Sequence, residues 1–153
     1  EITKVTHNHP DGIRGAQATA MATLAARFRT PKSEIQEMIE TGYYSLDFTI
    51  DGIRPNYQFD ASCQGSVPQA IKAFLEANSF EETIRLAVSI GGDSDTIAAI
   101  AGGIAGAYYG VPDNLRTKAL TYLPEDLRDI LVEFEATYRF RTFIRSSGPH
   151  ITE

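Results

Sequence analysis

The sequence of 153 residues predicts an all-α fold, on three observations. Apolar residues recur at spacings of three and four through most of the chain, the period of a helix with one buried face. Between these runs lie helix stop and start signals: Thr30-Pro31, Ser79-Phe80-Glu81-Glu82, Gly91-Gly92, and Gly110 with Pro112. The one stretch of strand-like composition, YYSLDFTI from Tyr43 to Ile50, has no partner strand elsewhere. It reads as a packed loop or a short extended segment.

The elements follow in order. The spacing predicts a first helix over Gly12 to Arg29, with Ile13, Ala16, Ala20, Leu24 and Phe28 as its inner stripe. Thr30 then reads as an N-cap with Pro31 at the first helical position, where a missing N–H costs nothing. Ile35, Met38 and Ile39 supply the apolar face of that second helix, which should stop near Gly42. Tyr43 to Gln64 is irregular, with turn signals at Asp51-Gly52 and Pro55-Asn56. Ser66 is expected to cap the next helix, with Pro68 in its first turn and Val67, Ala70, Ile71, Phe74 and Leu75 facing in. Ser79 and Glu82 form a capping box, in which hydroxyl and carboxylate each satisfy an orphan backbone N–H. That helix carries Ile84, Ala87 and Val88 and ends at Gly91-Gly92. Another is expected from Ser94 to Tyr109, stopped by Gly110 and Pro112. A short helix should follow Asp113, and a last one Pro124, with Leu127, Ile130, Leu131 and Phe134 inward.

The length suits one compact domain able to bury roughly 70% of its unfolded surface. A net charge of -6 excludes nonspecific nucleic-acid binding, which draws its affinity from Lys and Arg on phosphates. Cys63 is the only cysteine, so no internal disulfide forms, and a reducing, cytoplasmic setting is expected. The longest apolar run, Ile97 to Gly110, is shorter than the roughly 20 residues that span a bilayer, so no membrane role is expected. The chain begins at Glu1 without Met and is expected to be a piece of something longer.

One stretch stands apart: IGGDSDTIAAIAGGIAGAYYG, residues 90 to 110. Two carboxylates, Asp93 and Asp95, precede a long segment without charge. Residues i and i+2 do not share a helix face. The pair converges only if Asp93 lies in the non-helical approach and Asp95 in the first turn, an approach that Gly91-Gly92 permits. With the Thr96 hydroxyl they form a set of hard oxygen donors, suited to Mg²⁺ or Mn²⁺ rather than Zn²⁺. The bland alternative is simple capping, for which Asp, Ser and Thr are common. It accounts for one Asp and leaves the other as an unforced repulsive partner. Small residues repeat by four at Ala98, Gly102 and Gly106 and at Ala99, Gly103 and Ala107, which lets neighbouring helices come close. The helix is therefore expected to be central, with its acidic start opening into a cleft.

The segment GGDSDTIAAIAGGIAGAYYG resembles the C-terminal signature of the ADP-ribosylglycohydrolase family. THNHPDGIRGA, from Thr6 to Ala16, is similar to the family's His-bearing segment before an Ala-rich helix. CQGSVPQAIKAFLEA, from Cys63 to Ala77, is similar to its Ser-Val-Pro helix start. The resemblance runs over about residues 1 to 140. It implies an orthogonal multi-helix bundle with a centre of two Mg²⁺ or Mn²⁺ ions at the base of a cleft. It also implies hydrolysis of a glycosidic bond between ADP-ribose and a protein or small-molecule acceptor. By the same resemblance Asp93, Asp95 and Thr96 are metal ligands, Asp93 and Asp95 belong to the catalytic centre, and His7 lines the ADP-ribose site. Ser62 and Cys63 are expected to border the adenosine side.

The family's other metal ligands, a Thr followed by paired aspartates, belong to an N-terminal half that these residues do not include. Residues 1 to 144 are thus expected to be the C-terminal part of an incomplete domain, and 145 to 153 a flexible tail. Half a binuclear site implies little or no hydrolase activity for the chain alone. It also implies association with the missing half or with a second copy, since apolar surface is left uncovered. The alternative is a non-catalytic ADP-ribose-binding or structural, crystallin-like member of the same fold. Three further readings complete the set. His7 and His9 as an H-x-H metal pair is the weaker reading for His9, since loop histidines are usually solvated. Cys63 reads as a small buried residue rather than a nucleophile. Of Tyr43, Tyr44, Phe48, Tyr57 and Phe59, most are expected to close a core rather than stack on a base.

Overall fold

The structure, a computed structural model, describes residues 2–6 and 8–137. Among them lie a short 3-10 turn at Ile2–Val5, eight α-helices and no strand. The helices are α1 (Pro10–Arg27), α2 (Lys32–Gly42), α3 (Ile50–Ile53), α4 (Cys63–Glu76), α5 (Phe80–Ser89), α6 (Ser94–Tyr109), α7 (Asp113–Leu120) and α8 (Glu125–Thr137). Two compact units divide the chain, Glu1–Pro112 and Asp113–Glu153. The expected tail from 145 to 153 lies outside the described residues. Among the described residues no helix is long and apolar enough to cross a membrane.

The first unit is built around α6. This helix packs against α1, α4 and α5 at once, and Ile97, Ala101, Ile104 and Ala105 along it are buried. Its small residues divide in use. A Cβ on Gly102 would come 2.9 Å from Ile84 Cδ1 of α5, so this stripe is a close helix contact. Ala99 and Gly103 are exposed, and nothing lies within 4 Å of a Cβ on Gly103. One core cluster joins the α1 alanines, Ile35, Ile39, Leu46, Ile71, Phe74 and Ile104. A second joins Ile50, Ala70, Ala73, Ala87, Ile90, Ile97 and Ala101.

Several expectations are corrected. Helix α1 runs two residues earlier than its spacing suggested, and its buried side is Gly15, Ala18, Ala22, Ala25 and Ala26. Leu24 and Phe28 face outward, 52% and 75% exposed. The reason is steric: the close contacts of α1 need small residues. A Cβ on Gly15 would already sit 2.9 Å from Cys63 Cβ on α4. Pro31 occupies the cap position of α2, outside the first turn, and no side chain caps that end. Met38 is exposed while Ile35 and Ile39 are buried. Helix α4 begins a turn earlier than expected. Ser62, not Ser66, is its cap, with the hydroxyl accepting from Gly65 N–H at 3.0 Å, and Pro68 falls inside the helix. Val88 of α5 is half exposed. The YYSLDFTI stretch is a loop leading into the short α3, which the sequence did not suggest; Thr49 caps it by accepting from Gly52 N–H.

Other expectations hold. Helix α6 has the expected ends. Ser79 accepts from Glu82 N–H at 3.1 Å, and Glu82 reaches back to the N–H of Asn78, one residue beyond the box partner, at 2.7 Å. In the second unit no residue of α7 or α8 is buried, so Leu127, Ile130 and Phe134 are exposed rather than turned inward. Arg116 of α7 and Glu135 of α8 form an ion pair.

The far end of α4 is closed by two neighbours. Lys32 Nζ donates to the carbonyls of Leu75, at 3.2 Å, and Ala77. Tyr109 Oη donates to Ala77 O at 2.8 Å. Orphan carbonyls at a helix C-terminus favour a cation. The ammonium also lies 5.0 Å from the Phe74 ring centroid and 5.3 Å from that of Tyr109. Burial lowers the Lys32 pKa below its ordinary value, against the opposing influence of Tyr108 and Glu82.

Two glycines of α6 should therefore respond oppositely. Gly103→Ala is expected to stabilise the chain by about 0.5–1 kcal/mol, because open space receives the methyl and backbone freedom falls. Gly102→Leu is expected to destabilise it by about 1–3 kcal/mol through overpacking on Ile84. Urea unfolding followed by circular dichroism measures both.

Candidate functional site at the starts of two helices

Asp93 stands at the cap position of α6 with φ -79° and ψ 55°, and its side chain makes no capping hydrogen bond. Gly91 and Gly92 precede it at φ 78° and 60°, left-handed values that favour glycine. The linker thus turns Asp93 back toward the first helical turn, where Asp95 lies. The two carboxyl groups come within hydrogen-bonding reach of each other. The Asp95 carboxyl is held below the usual carboxylate range, first by the hydrogen bond from Asp93 and then by the N–H groups of Thr96 and Asp95. The N–H groups of the first turn thus act on Asp95, while the Asp93 side chain takes no part in capping. Asp95 and Thr96 are exposed; Asp93 and Ser94 are half-buried.

A second helix start lies across a loop from the first. Ser62 and Cys63 open α4. Asp60 Oδ1 accepts from Ser62 N–H at 2.8 Å, and the Ser66 hydroxyl donates to Asp60 O at 3.3 Å. Hydrogen bonds from the Ser62 backbone and hydroxyl lower the Asp60 pKa. Tyr57 joins the two starts. Its hydroxyl donates to Gly65 O in the first turn of α4, and its ring lies against Gly92. Burial raises the Tyr57 pKa, and the negative charges of Asp60 and Asp93 raise it further.

The sequence-predicted residues are placed as follows. Asp93 and Asp95 are brought together, with Thr96 next in the same turn. His7 lies outside the described residues. Ser62 is engaged as the α4 cap, and Cys63 is a free, half-buried thiol packed on Gly15. His9 caps α1, its Nδ1 accepting from Asp11 N–H at 3.2 Å. Tyr44 is buried and Phe48 and Tyr43 pack on the core, as expected of most of these aromatics, whereas Phe59 is 71% exposed. Sequence reasoning did not single out Asp60; Tyr57, one of the aromatics weighed between core and base stacking, packs on the second core cluster as well as on Gly92. The signal for Asp60 was its place two residues before the cap serine, the spacing of a turn closed by an aspartate side chain.

The donors near α6 are carboxylate and hydroxyl oxygens, the chemistry that Mg²⁺ and Mn²⁺ select. Among the described residues no three of His, Cys, Asp or Glu gather into a metal-binding group. The pair with Thr96 suits an ion that takes its other ligands from water or from further protein.

Among the described residues Tyr44 Oη, buried beside Gly15 and Cys63, has no hydrogen-bond partner. Burial raises its pKa and that of Tyr109 above the ordinary 10.0, with Cys63 and Glu82 respectively adding to the effect. A raised folded pKa means the stabilisation is fully present below the unfolded value and lost as pH rises through the folded one. The chain is therefore expected to lose stability above pH 10, with tyrosinate absorbance appearing together with unfolding. Tyr44→Phe should reduce that loss.

The sequence matches the family model described as ADP-ribosylglycohydrolase over residues 1–141. It is similar to ADP-ribosylhydrolase ARH3 of Homo sapiens, 41% identical over 76 residues that cover 40% of this chain and 21% of that protein. With ADP-ribosylhydrolase ARH3 of Mus musculus it shares 47% identity over 57 residues, 30% of this chain and 15% of that protein. The chain thus spans well under two thirds of the length of the curated relatives it matches. No solved structure matches it significantly.

Proposed function

Since the chain belongs to the ADP-ribosylglycohydrolase family, we propose that it supplies part of the active centre of a hydrolase that releases ADP-ribose from a modified protein or small molecule. The observation that carries this reading is the convergence of Asp93 and Asp95 at the start of α6, with the Asp93 side chain left out of capping. In this reading Asp93, Asp95 and Thr96 hold Mg²⁺ or Mn²⁺, one ligand set of a centre of two ions. When bound, such ions orient substrate oxygens and polarise water for attack. The glycosidic bond to the anomeric carbon breaks, water's hydroxyl joins that carbon, and its proton goes to the leaving group.

The remaining residues take supporting roles. His7, Ser62 and Cys63 line the ADP-ribose side. The first turn of α4 offers a positive helix end that favours a phosphate. The single half-buried thiol of Cys63 suits a reducing, cytoplasmic setting. The outward faces of α1 and α2, with Met21, Leu24, Phe28 and Met38 exposed, support association with the family's N-terminal segment or, without it, with a second copy.

Two measurements test this reading. Asp95→Ala is expected to abolish Mn²⁺ uptake by the chain, followed by calorimetry. In a longer form carrying the family's N-terminal segment it should lower ADP-ribose release by at least about a hundredfold, the scale of losing an electrostatic catalytic group. Unchanged binding and turnover would refute the site. Sedimentation velocity is expected to show the 153-residue chain associating. A clean monomer at high concentration would refute the association.

A further inference from the structure

We infer that Tyr57 is a positioning residue, which holds the two helix starts at the separation that aims Asp93 at its ion. The inference rests on the metal reading of Asp93 and Asp95 and assigns a residue outside that ligand set.

The geometry is a wedge. The Tyr57 hydroxyl donates to Gly65 O, which ties one end of the side chain to the first turn of α4. The other contact is the ring against Gly92, the residue before Asp93. A Cβ on Gly92 would lie 2.5 Å from Tyr57 Cε1, 3.0 Å from Cδ1 and 3.1 Å from Gln58 O. Real side chains do not come that close, so the linker seats itself on the ring only because residue 92 is glycine. Its φ of 60° is the second reason for glycine there.

The tyrosine is itself held. Its ring packs on the core cluster that includes Ile50, Ile90 and Ile97, and Ile97 belongs to α6. On the α4 side, Asp60 closes the strap by accepting from Ser62 N–H, and a Cβ on Gly65 would collide with the Asp60 carboxylate. Two glycines, one on each helix start, thus admit one loop side chain each. Neither contact is needed to make a helix. Ser62 caps α4 without Tyr57, and the first turn of α6 starts with the Ile97 N–H donating to Asp93 O, again without it. What Tyr57 adds is the placement of the Gly91-Gly92 turn, and hence the direction of the Asp93 carboxylate. Groups that orient metal ligands typically cost 10–100-fold in affinity, on the order of a second coordination shell, when removed.

The test uses Mn²⁺ alone on the 153-residue chain, with affinity from titration and ligand geometry from the electron paramagnetic resonance of the bound ion. Tyr57→Ala is expected to weaken binding by about tenfold or more and to change the resonance line shape. Tyr57→Phe keeps the ring on Gly92 and should recover most of that loss. Gly92→Ala, which displaces the ring from the other side, should weaken binding as Tyr57→Ala does. It decides the matter if Tyr57→Ala does not fold. Wild-type affinity and line shape in both Tyr57→Ala and Gly92→Ala, with binding lost in Asp95→Ala, would overturn the positioning role and leave the metal reading standing. A wild-type chain that takes up no Mn²⁺ would overturn the metal reading itself, and the positioning role with it.

Discussion

The burial of α6 is the constraint on which the first unit depends. A helix with no charged residue from Ile97 to Gly110 gains by leaving water on every side that neighbours can reach. Three helices reach it, and they come close because glycine and alanine hold the contact faces. Its interior therefore carries no chemistry. Polar function is confined to its two ends, where the backbone leaves N–H and C=O groups unpaired. At the C-terminal end, Tyr108 and Tyr109 pack edge-on against Phe74, and Tyr109 donates to the end of α4. At the N-terminal end stand the two aspartates.

Helix α4 repeats this division. Ser62 closes its start, and Lys32 with Tyr109 closes its finish. Between them Val67, Ala70, Ile71 and Phe74 are buried against two clusters at once. The ordered ends make α4 a rigid support, and Tyr57 refers the Gly91-Gly92 turn to that support. A loop otherwise free to vary is so fixed at both sides, by a hydroxyl on one carbonyl and by a ring on one glycine.

Much of this was legible in the sequence wherever local chemistry decides. The ends of α6 follow from Gly92, Gly110 and Pro112, and the start of α5 from Ser79 and Glu82; none of these needs a neighbour. What was not legible depends on neighbours. The 3.6-residue period of α1 offers two readings, a stripe of large residues through Leu24 and Phe28 and a stripe of small ones through Ala18 and Ala22. Hydrophobicity favours the first, and the close approach of α4 and α6 selects the second. The start of α4 was misplaced for a related reason. Ser62 and Ser66 are both plausible caps, and Asp60, by holding the Ser62 N–H, settles the choice from outside the helix. The aspartate pair was legible as a pair. The contact of Tyr57 with Gly92 was not, because an aromatic residue in an irregular loop reads first as core.

In the metal reading proposed above, the pair resolves a conflict between a helix dipole and a cation. The N-terminus of α6 carries partial positive charge, which repels a metal ion and attracts carboxylates. One carboxylate, Asp95, satisfies the helix by accepting its own N–H and that of Thr96. Its charge toward the helix is thereby committed. Asp93 lies within hydrogen-bonding reach of the Asp95 carboxyl and makes no capping bond of its own. A divalent ion held between the two carboxylates would remove their mutual repulsion. In that reading the two carboxylate charges together offset the dipole that opposes the ion.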